Sequence, residues 1–192
     1  AVAAVVNGGY LVTPHVVDTI TDQSGNVVTS VDTTIRRQVI SEEVSAEVRS
    51  MMEQVVGKGQ DTSSGRNAYV AGYRIGGKSG TSENLGRDER EDGDYYKQIS
   101  FTAVLPIDDP EIEVFVMMDD PRWTNDYASQ IVAPVVGNII SEVAPYLGLE
   151  RDPEYDTGAT VVVPDVVSRN NSWVNAQVEM NKKGLAHKLV EG

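Results

Sequence analysis

A glycine-rich segment at residues 69–83 restricts the fold of this chain more than any other feature. Glycine stands at positions 72, 76, 77 and 80 within what we predict to be a single strand. Glycine weakens a strand because it loses more conformational entropy on folding and offers no side chain to pack. Such a strand is expected where another backbone or a ligand approaches closely. We therefore predict that the strand Tyr69–Glu83 lies at a binding surface.

The residues Lys78-Ser79-Gly80-Thr81 give this strand its chemistry. Lysine offers a fixed positive charge to an anionic group, the two hydroxyls offer hydrogen bonds, and the glycine leaves access open. Free backbone N–H groups of an exposed strand can stabilise an oxyanion. Because side chains alternate along a strand, Lys78 and Ser79 can share a site only if the edge of the strand faces it. Arg74 is on the same face as Lys78, and we expect it to form a salt bridge with a nearby acid.

The segments that flank this strand predict a short helix and further strands. The apolar residues 1–6 run into Asn-Gly-Gly, a sequence typical of a helix that ends in a left-handed cap. Residues 10–21 and 27–31 are β-rich and flank a turn-forming segment. Two apolar runs at 98–105 and 111–118 surround a Pro-Ile-Asp-Asp-Pro cluster and predict an antiparallel hairpin.

Two amphipathic helices complete the prediction of an α+β fold, an antiparallel sheet with packed helices. Ser41 is expected to cap the first helix, whose apolar stripe consists of Val44, Val48, Met51, Met52 and Val55. The second helix is predicted from Thr124 or Asn125 to about Ala144, with a kink or break at Pro134. Its predicted buried stripe consists of Ile131, Val132, Val135, Val136, Ile139, Ile140 and Val143.

Composition excludes several classes of function. Sixteen basic and 29 acidic residues give a net charge of -13, which disfavours nucleic acid as a partner. The chain has no cysteine, and its two histidines, His15 and His187, are too few and too far apart to predict a metal site. We predict no cofactor. No apolar run approaches the roughly 20 residues that span a bilayer, and the opening residues do not form a signal peptide. We expect the chain to be a fragment whose anchor lies upstream.

The longer run Ala71–Glu83 is very similar to class B penicillin-binding proteins, the monofunctional D,D-transpeptidases, and Lys-Ser-Gly-Thr matches their Lys-Thr/Ser-Gly element. The resemblance covers roughly residues 1–150 and implies the C-terminal part of a penicillin-binding/serine β-lactamase-like domain. It implies that Lys78 and Ser79 bind the carboxylate of a D-Ala-D-Ala stem peptide or of a β-lactam, beside Gly80. It also implies that the backbone N–H of Thr81 forms half of an oxyanion hole.

The nucleophile of that family, the serine of Ser-x-x-Lys, has no counterpart in this chain. Three matches to the second element, Ser-x-Asn, begin at Ser24, Ser82 and Ser168, and we interpret all three as chance. We therefore expect the chain to be inactive alone and to need the upstream N-terminal part of the same enzyme as its partner. The family also implies a location at the extracytoplasmic face of the bacterial cell membrane.

The tail predicts a second, partial unit. Residues 151–160 have the composition of a linker, and residues 161–192 resemble the first half of a PASTA repeat, a partial small α/β repeat. This resemblance depends on Val163-Pro164-Asp165-Val166, a helix at about Ser172–Lys183, and Lys183-Gly184-Leu185. We therefore predict three segments: the C-terminal part of the transpeptidase domain at 1–150, a linker at 151–160 and the partial PASTA-like repeat at 161–192.

Two functions outside transpeptidation stay open on sequence grounds. One is a non-catalytic peptidoglycan-binding or sensing module, in which the glycine-rich strand and the tail only bind. The other is a β-lactamase or β-lactam sensor, which the tail and the hairpin-rich N-terminal segment disfavour.

Overall fold

The structure is a computed structural model that describes residues 1–58, 62–86, 95–121, 127–156, 173–182 and 185. The chain divides into two compact units, Ala1–Val48 and Arg49–Gly192. None of the helices in the described residues has both the length and the apolar character needed to cross a bilayer.

The first unit begins with a short helix, α1 (Val2–Val6), which two small antiparallel pairs of strands follow in the chain. Strand β1 (Tyr10–Val12) pairs with β4 (Ile35–Gln38), and β2 (Thr19–Thr21) pairs with β3 (Val27–Ser30). The positive φ angles of the predicted cap fall on the two glycines after Asn7, at 89° and 90°. The sequence predicted α1, β1, β2 and β3, but not β4, whose four residues are all exposed.

Helix α2 (Glu42–Val56) begins where predicted, with the Ser41 hydroxyl accepting a hydrogen bond from the backbone N–H of Val44. The predicted apolar stripe has the right period, with Met52 buried and Val48 and Val55 half-buried, but its centre is shifted by one position. Val44 and Met51 are exposed, whereas the buried positions are Ser45, Met52 and Val56. The shift arises because Ser45 is a buried polar residue whose hydroxyl donates to the carbonyl of Val5, a contact that hydrophobic periodicity does not reveal.

The second unit is built on a three-stranded antiparallel sheet in the order β5 (Gly76–Glu83), β6 (Lys97–Leu105), β7 (Ile112–Asp119). Strands β6 and β7 form the predicted hairpin. A 3₁₀ turn at Arg66–Ala68 precedes β5. The α+β class predicted from the sequence is confirmed.

Helix α3 (Ala128–Leu147) packs on one face of this sheet. It passes through Pro134 without a break and through Pro145, and ends at Gly148 with a left-handed φ of 72°. The prediction of an end near Ala144 was therefore too short. Thr124 and Asn125 lie outside the described residues, and the helix begins at Ala128. Its fully buried residues include Val132, Val136, Ile140 and Ala144, whereas Val135 of the predicted stripe is exposed.

The glycine-rich strand is shorter than predicted. Residues 69–75 form a buried irregular segment, and β5 begins only at Gly76. Gly72 has a φ of 86°, and its N–H and C=O bond to the backbones of Tyr155 and Asp152 at 2.8 Å each. The segment turns here because its backbone groups are satisfied by the tail of the unit instead of a neighbouring strand.

The described part of the tail is folded against the rest of the second unit. Helix α4 (Trp173–Lys182), which the sequence predicted, packs against α3. The Asn181 side-chain amide donates to Oδ1 of Asn138 at 2.7 Å, and the backbone carbonyl of Asn181 accepts from the N–H of Ala71 at 3.3 Å. Residues 157–172, 183–184 and 186–192 lie outside the described residues, so the PASTA-like repeat and the domain boundaries stay predictions.

Candidate functional site

Strand β5 carries the four predicted site residues, Lys78, Ser79, Gly80 and Thr81, at one edge of the sheet. Among the described strands, β5 pairs with β6 alone. In an antiparallel pair, alternate residues direct their N–H and C=O groups away from the partner strand. The second edge of β5 therefore offers backbone donors to a ligand, which is the condition that a shared Lys78–Ser79 site requires.

The side chains of Lys78 and Ser79 start on opposite faces of the sheet. The register places Lys78 in line with Thr102 and Phe115, and Ser79 in line with Phe101. Lys78 is exposed, and its Nζ donates to the backbone oxygen of its neighbour Ser79. The ammonium group thus lies beside the backbone of Ser79 at the edge of the strand.

The first two glycines of β5 meet protein side chains instead of open space. A Cβ at position 76 would lie 2.4 Å from Cδ1 of Ile107, and one at position 77 would lie 2.7 Å from the ring of Phe101. Both distances are shorter than real contacts allow. The close approach predicted for this strand therefore occurs here, but the approaching groups are core residues, not a ligand.

The third glycine, Gly80, is in a different environment. A Cβ there would lie 2.5 Å from Oγ of Ser100, and its next contact would be at 3.9 Å. Ser100 pairs directly with Gly80 across the sheet, on the same face as Lys78. Gly80 therefore leaves space beside a hydroxyl group and the lysine.

Sequence reasoning missed two hydroxyl residues that share the face of Lys78. They are Ser100 and the buried Thr102, which face Met117 and Phe115 on β7, two exposed apolar side chains. Polar residues at alternate positions of β6, at 98, 100 and 102, were a signal that could have identified this face.

Arg74 anchors the segment that leads into β5. Its guanidinium binds both carboxylate oxygens of Glu53, at 2.9 and 3.0 Å, and its Nη1 lies 2.8 Å from Oδ2 of Asp108. The backbone oxygen of Arg74 also accepts from the N–H of Ile107 at 2.9 Å. The predicted salt bridge is thus confirmed, and Arg74 contacts α2 and the β6–β7 loop instead of facing a ligand.

Tyr155 completes this group. Its hydroxyl donates to Oε1 of Glu53, and its ring lies 5.6 Å from Cζ of Arg74 and 4.7 Å from Nζ of Lys58. Burial raises the pKa of Glu53, but hydrogen bonds from Arg74 and Tyr155 outweigh it and hold that pKa below its usual range. Burial and the same hydrogen bond raise the pKa of Tyr155, and the pKa of Arg74 is also raised. Glu53 and Arg74 are therefore both charged at neutral pH, and Tyr155 is neutral.

The site as described can bind an anion and stabilise negative charge on oxygen. Lys78 supplies the cation, Ser79 and Thr81 supply hydroxyls, and the strand edge supplies N–H groups. Among the described residues, no three His, Cys, Asp or Glu side chains are grouped so that they could hold a metal ion.

Comparison with known families identifies one that covers most of the chain. The family described as "Penicillin binding protein transpeptidase domain" matches residues 1–141. The chain is 36% identical over 203 residues to stage V sporulation protein D of Bacillus subtilis, covering 96% of this chain and 30% of that protein. It is 33% identical over 130 residues to a probable peptidoglycan D,D-transpeptidase FtsI of Caulobacter vibrioides, covering 63% of this chain and 22% of that protein.

Solved structures show the same fold. Penicillin-binding protein 3 of Mycobacterium tuberculosis, in complex with ampicillin, superposes with a TM-score of 0.64 at 24% identity, covering 84% of this chain and 36% of that one. The chain thus spans about a third or less of the length of these relatives.

Proposed function

The chain belongs to the transpeptidase domain family of class B penicillin-binding proteins, and from this we propose that β5 is the substrate-binding wall of a peptidoglycan D,D-transpeptidase. In this proposal Lys78 and Ser79 bind the terminal carboxylate of a D-Ala-D-Ala stem peptide, or the equivalent carboxylate of a β-lactam. The N–H of Thr81 forms half of the oxyanion hole.

One observation carries the proposal: the Lys78 ammonium lies beside Ser79 on a strand whose second edge pairs with no described strand. A carboxylate needs a cation together with hydrogen-bond donors in a fixed arrangement. An oxyanion needs a backbone N–H that is not already used by a neighbouring strand. A strand edge with this sequence supplies both within four residues.

The remaining part of the reaction needs a serine nucleophile with a neighbouring base, which we assign to the segment upstream of Ala1. That serine would attack the carbonyl of the penultimate D-Ala, form an acyl-serine ester and release the terminal D-Ala. An amine of a neighbouring stem peptide would then attack the ester and release the serine. Lys78 and Thr81 would hold the substrate and its oxyanion, and neither would form a covalent bond.

The partners proposed for this site are therefore peptidoglycan stem peptides, β-lactams and the upstream part of the same enzyme. The proposed location is the extracytoplasmic face of the cell membrane, where peptidoglycan is assembled. The stage V sporulation protein D relative is named for sporulation and the FtsI relative for peptidoglycan transpeptidation.

The test is covalent labelling by a fluorescent penicillin. The chain extended upstream through a Ser-x-x-Lys serine should be labelled, whereas the chain alone should not. Lys78→Ala should slow labelling because a charge-assisted hydrogen bond contributes about 1.5–3 kcal/mol, or roughly 10- to 150-fold. Lys97→Ala, which removes a lysine from the neighbouring strand β6, is the matched control and should label at the parent rate.

Two results would contradict the proposal. Labelling of the chain alone would show that it contains a nucleophile of its own. Absence of labelling in the extended protein, with muropeptide binding retained, would instead support a non-catalytic peptidoglycan-binding module.

A further inference from the structure

The N-terminal end of β5 is held by a group of four side chains that we call the Arg74 cluster: Glu53, Arg74, Asp108 and Tyr155. Arg74 is four residues before Lys78 and two before the first residue of the strand. The cluster joins α2, the approach to β5, the β6–β7 loop and the tail after α3. Three of its members lie within residues 1–141, where the family matches, and Tyr155 lies beyond them.

Tyr155 contacts the approach to β5 with both its side chain and its backbone. Its hydroxyl donates to the same Glu53 oxygen that accepts from Nε of Arg74. Its carbonyl accepts from the N–H of Gly72 at 2.8 Å and from the hydroxyl of Tyr69 at 2.6 Å. One residue of the tail therefore fixes both the carboxylate that binds Arg74 and the turn that precedes it.

The position of this approach matters because, among the described strands, β5 is bonded to β6 alone. The contacts of residues 72–77 hold the start of the strand, and the register with β6 carries this position along residues 76–83. A slip of one residue would move Lys78 to the opposite face of the sheet. Even a displacement of about 1 Å misaligns groups that must meet a reacting atom and can lower a rate by roughly 100-fold.

We infer that Tyr155 is a positioning residue for the substrate-binding wall: through Glu53 and Arg74 it sets where Lys78 and Thr81 lie. This inference rests on the proposed function. Tyr155 itself touches neither Lys78 nor Thr81 in the structure, so its effect passes through the Arg74 cluster. The tail segment at residues 151–156, which composition assigns to a linker, would then be part of the catalytic domain.

The hydroxyl of Tyr155 can be removed without removing its ring. Tyr155→Phe keeps the ring beside Lys58 and Arg74 but takes away the donor to Glu53. Tyr146→Phe makes the same chemical change on a tyrosine of α3 that is 87% exposed, and is the matched control. Arg74→Lys is a second variant, which keeps the positive charge but cannot bind both carboxylate oxygens of Glu53.

The first measurement is amide hydrogen exchange on this chain, which needs no catalysis. Tyr155→Phe should speed exchange in residues 76–83 roughly tenfold, because hydrogen bonds to charged groups hold local structure at about this level. The β6 amides that bond to β7 should exchange as in the parent chain, whereas those that bond to β5 should open together with it. Arg74→Lys should show the same pattern, and Tyr146→Phe should match the parent chain.

The second measurement is the rate of labelling by a fluorescent penicillin in the upstream-extended protein, far below the unfolding temperature. Tyr155→Phe should lower the rate per folded molecule roughly tenfold, with a weaker apparent affinity for the initial, non-covalent penicillin complex. A merely stabilising residue would lower the unfolding temperature and leave the labelling rate per folded molecule unchanged.

The outcomes separate the inference from the proposed function. Parent-like exchange in residues 76–83 and a parent-like labelling rate in Tyr155→Phe would overturn the inference and leave the proposed function intact. An extended parent protein that is never labelled would overturn the proposed function, and faster exchange in β5 would then still show that Tyr155 holds the strand.

Discussion

Gly77→Ala tests whether the glycines of β5 serve packing or ligand access. The new Cβ would lie 2.7 Å from Cε1 and Cζ of Phe101 and 3.0 Å from Cγ2 of Val56. Both side chains are fully buried. The ring cannot move away freely, because a Cβ at Gly65 would also come within 2.9 Å of Cζ of Phe101, so the ring is packed between two positions that have no side chain.

The expected loss of stability follows from these contacts. Overpacking a close-packed core costs about 1–3 kcal/mol, and the fixed ring places this site near the upper value. Replacing glycine with alanine in a strand returns roughly 0.5–1 kcal/mol of conformational entropy. The net destabilisation should therefore be about 2 kcal/mol, which corresponds to a decrease of about 4–8 °C in the unfolding temperature for a unit of this size.

Gly80→Ala is the matched control on the same strand. Its Cβ would meet only the hydroxyl oxygen of Ser100, which can rotate away, so its stability should change by less than about 0.5 kcal/mol. Urea unfolding followed by tryptophan fluorescence measures both variants, since Trp173 is in the second unit. If Gly77→Ala were as stable as Gly80→Ala, the packing explanation for Gly77 would be wrong.

Two further predictions concern α2. The pKa of Glu53 is held low in the folded chain, so its ion pair should stabilise the chain above the unfolded pKa of about 4.3 and lose this effect as the pH falls through the lower folded value. Urea unfolding should show Glu53→Gln clearly less stable than the parent at pH 7, with the difference shrinking towards pH 3; a constant difference would contradict this assignment. Ser41→Ala should destabilise the chain by about 1 kcal/mol in thermal unfolding, because it removes the acceptor for the N–H of Val44. An unchanged unfolding temperature would show that the cap contributes nothing.

The elements predicted correctly are those whose signal is local. The β6–β7 hairpin follows from two apolar runs around a proline-rich turn, and α2 follows from its serine cap and helical period. The first helix ends at glycines with positive φ, as Asn-Gly-Gly indicates. Each of these signals is complete within about 20 residues of sequence.

The elements predicted wrongly depend on distant contacts. Residues 69–75 have the composition of a strand, but their turn is fixed by Asp152 and Tyr155, about 80 residues further along the chain. The stripe of α2 is displaced because Ser45 finds a partner in Val5. The salt bridge of Arg74 was predicted correctly, but nothing local could single out its partners, Glu53 and Asp108, among 29 acidic residues.

The candidate site combines both kinds of information. Its residue types follow from a four-residue motif, but the position of that motif in space does not. Gly76 fits against Ile107, Gly77 fits against Phe101 and Val56, and Arg74 is held by residues from three other segments. Because none of these contacts uses Lys78 or Ser79, the wall can be shaped independently of any ligand. A preformed wall is what electrostatic stabilisation of an oxyanion requires, since donors that are already in place need no reorganisation when charge develops. The residues that hold β5 should therefore affect the rate of acylation as well as the stability of the fold.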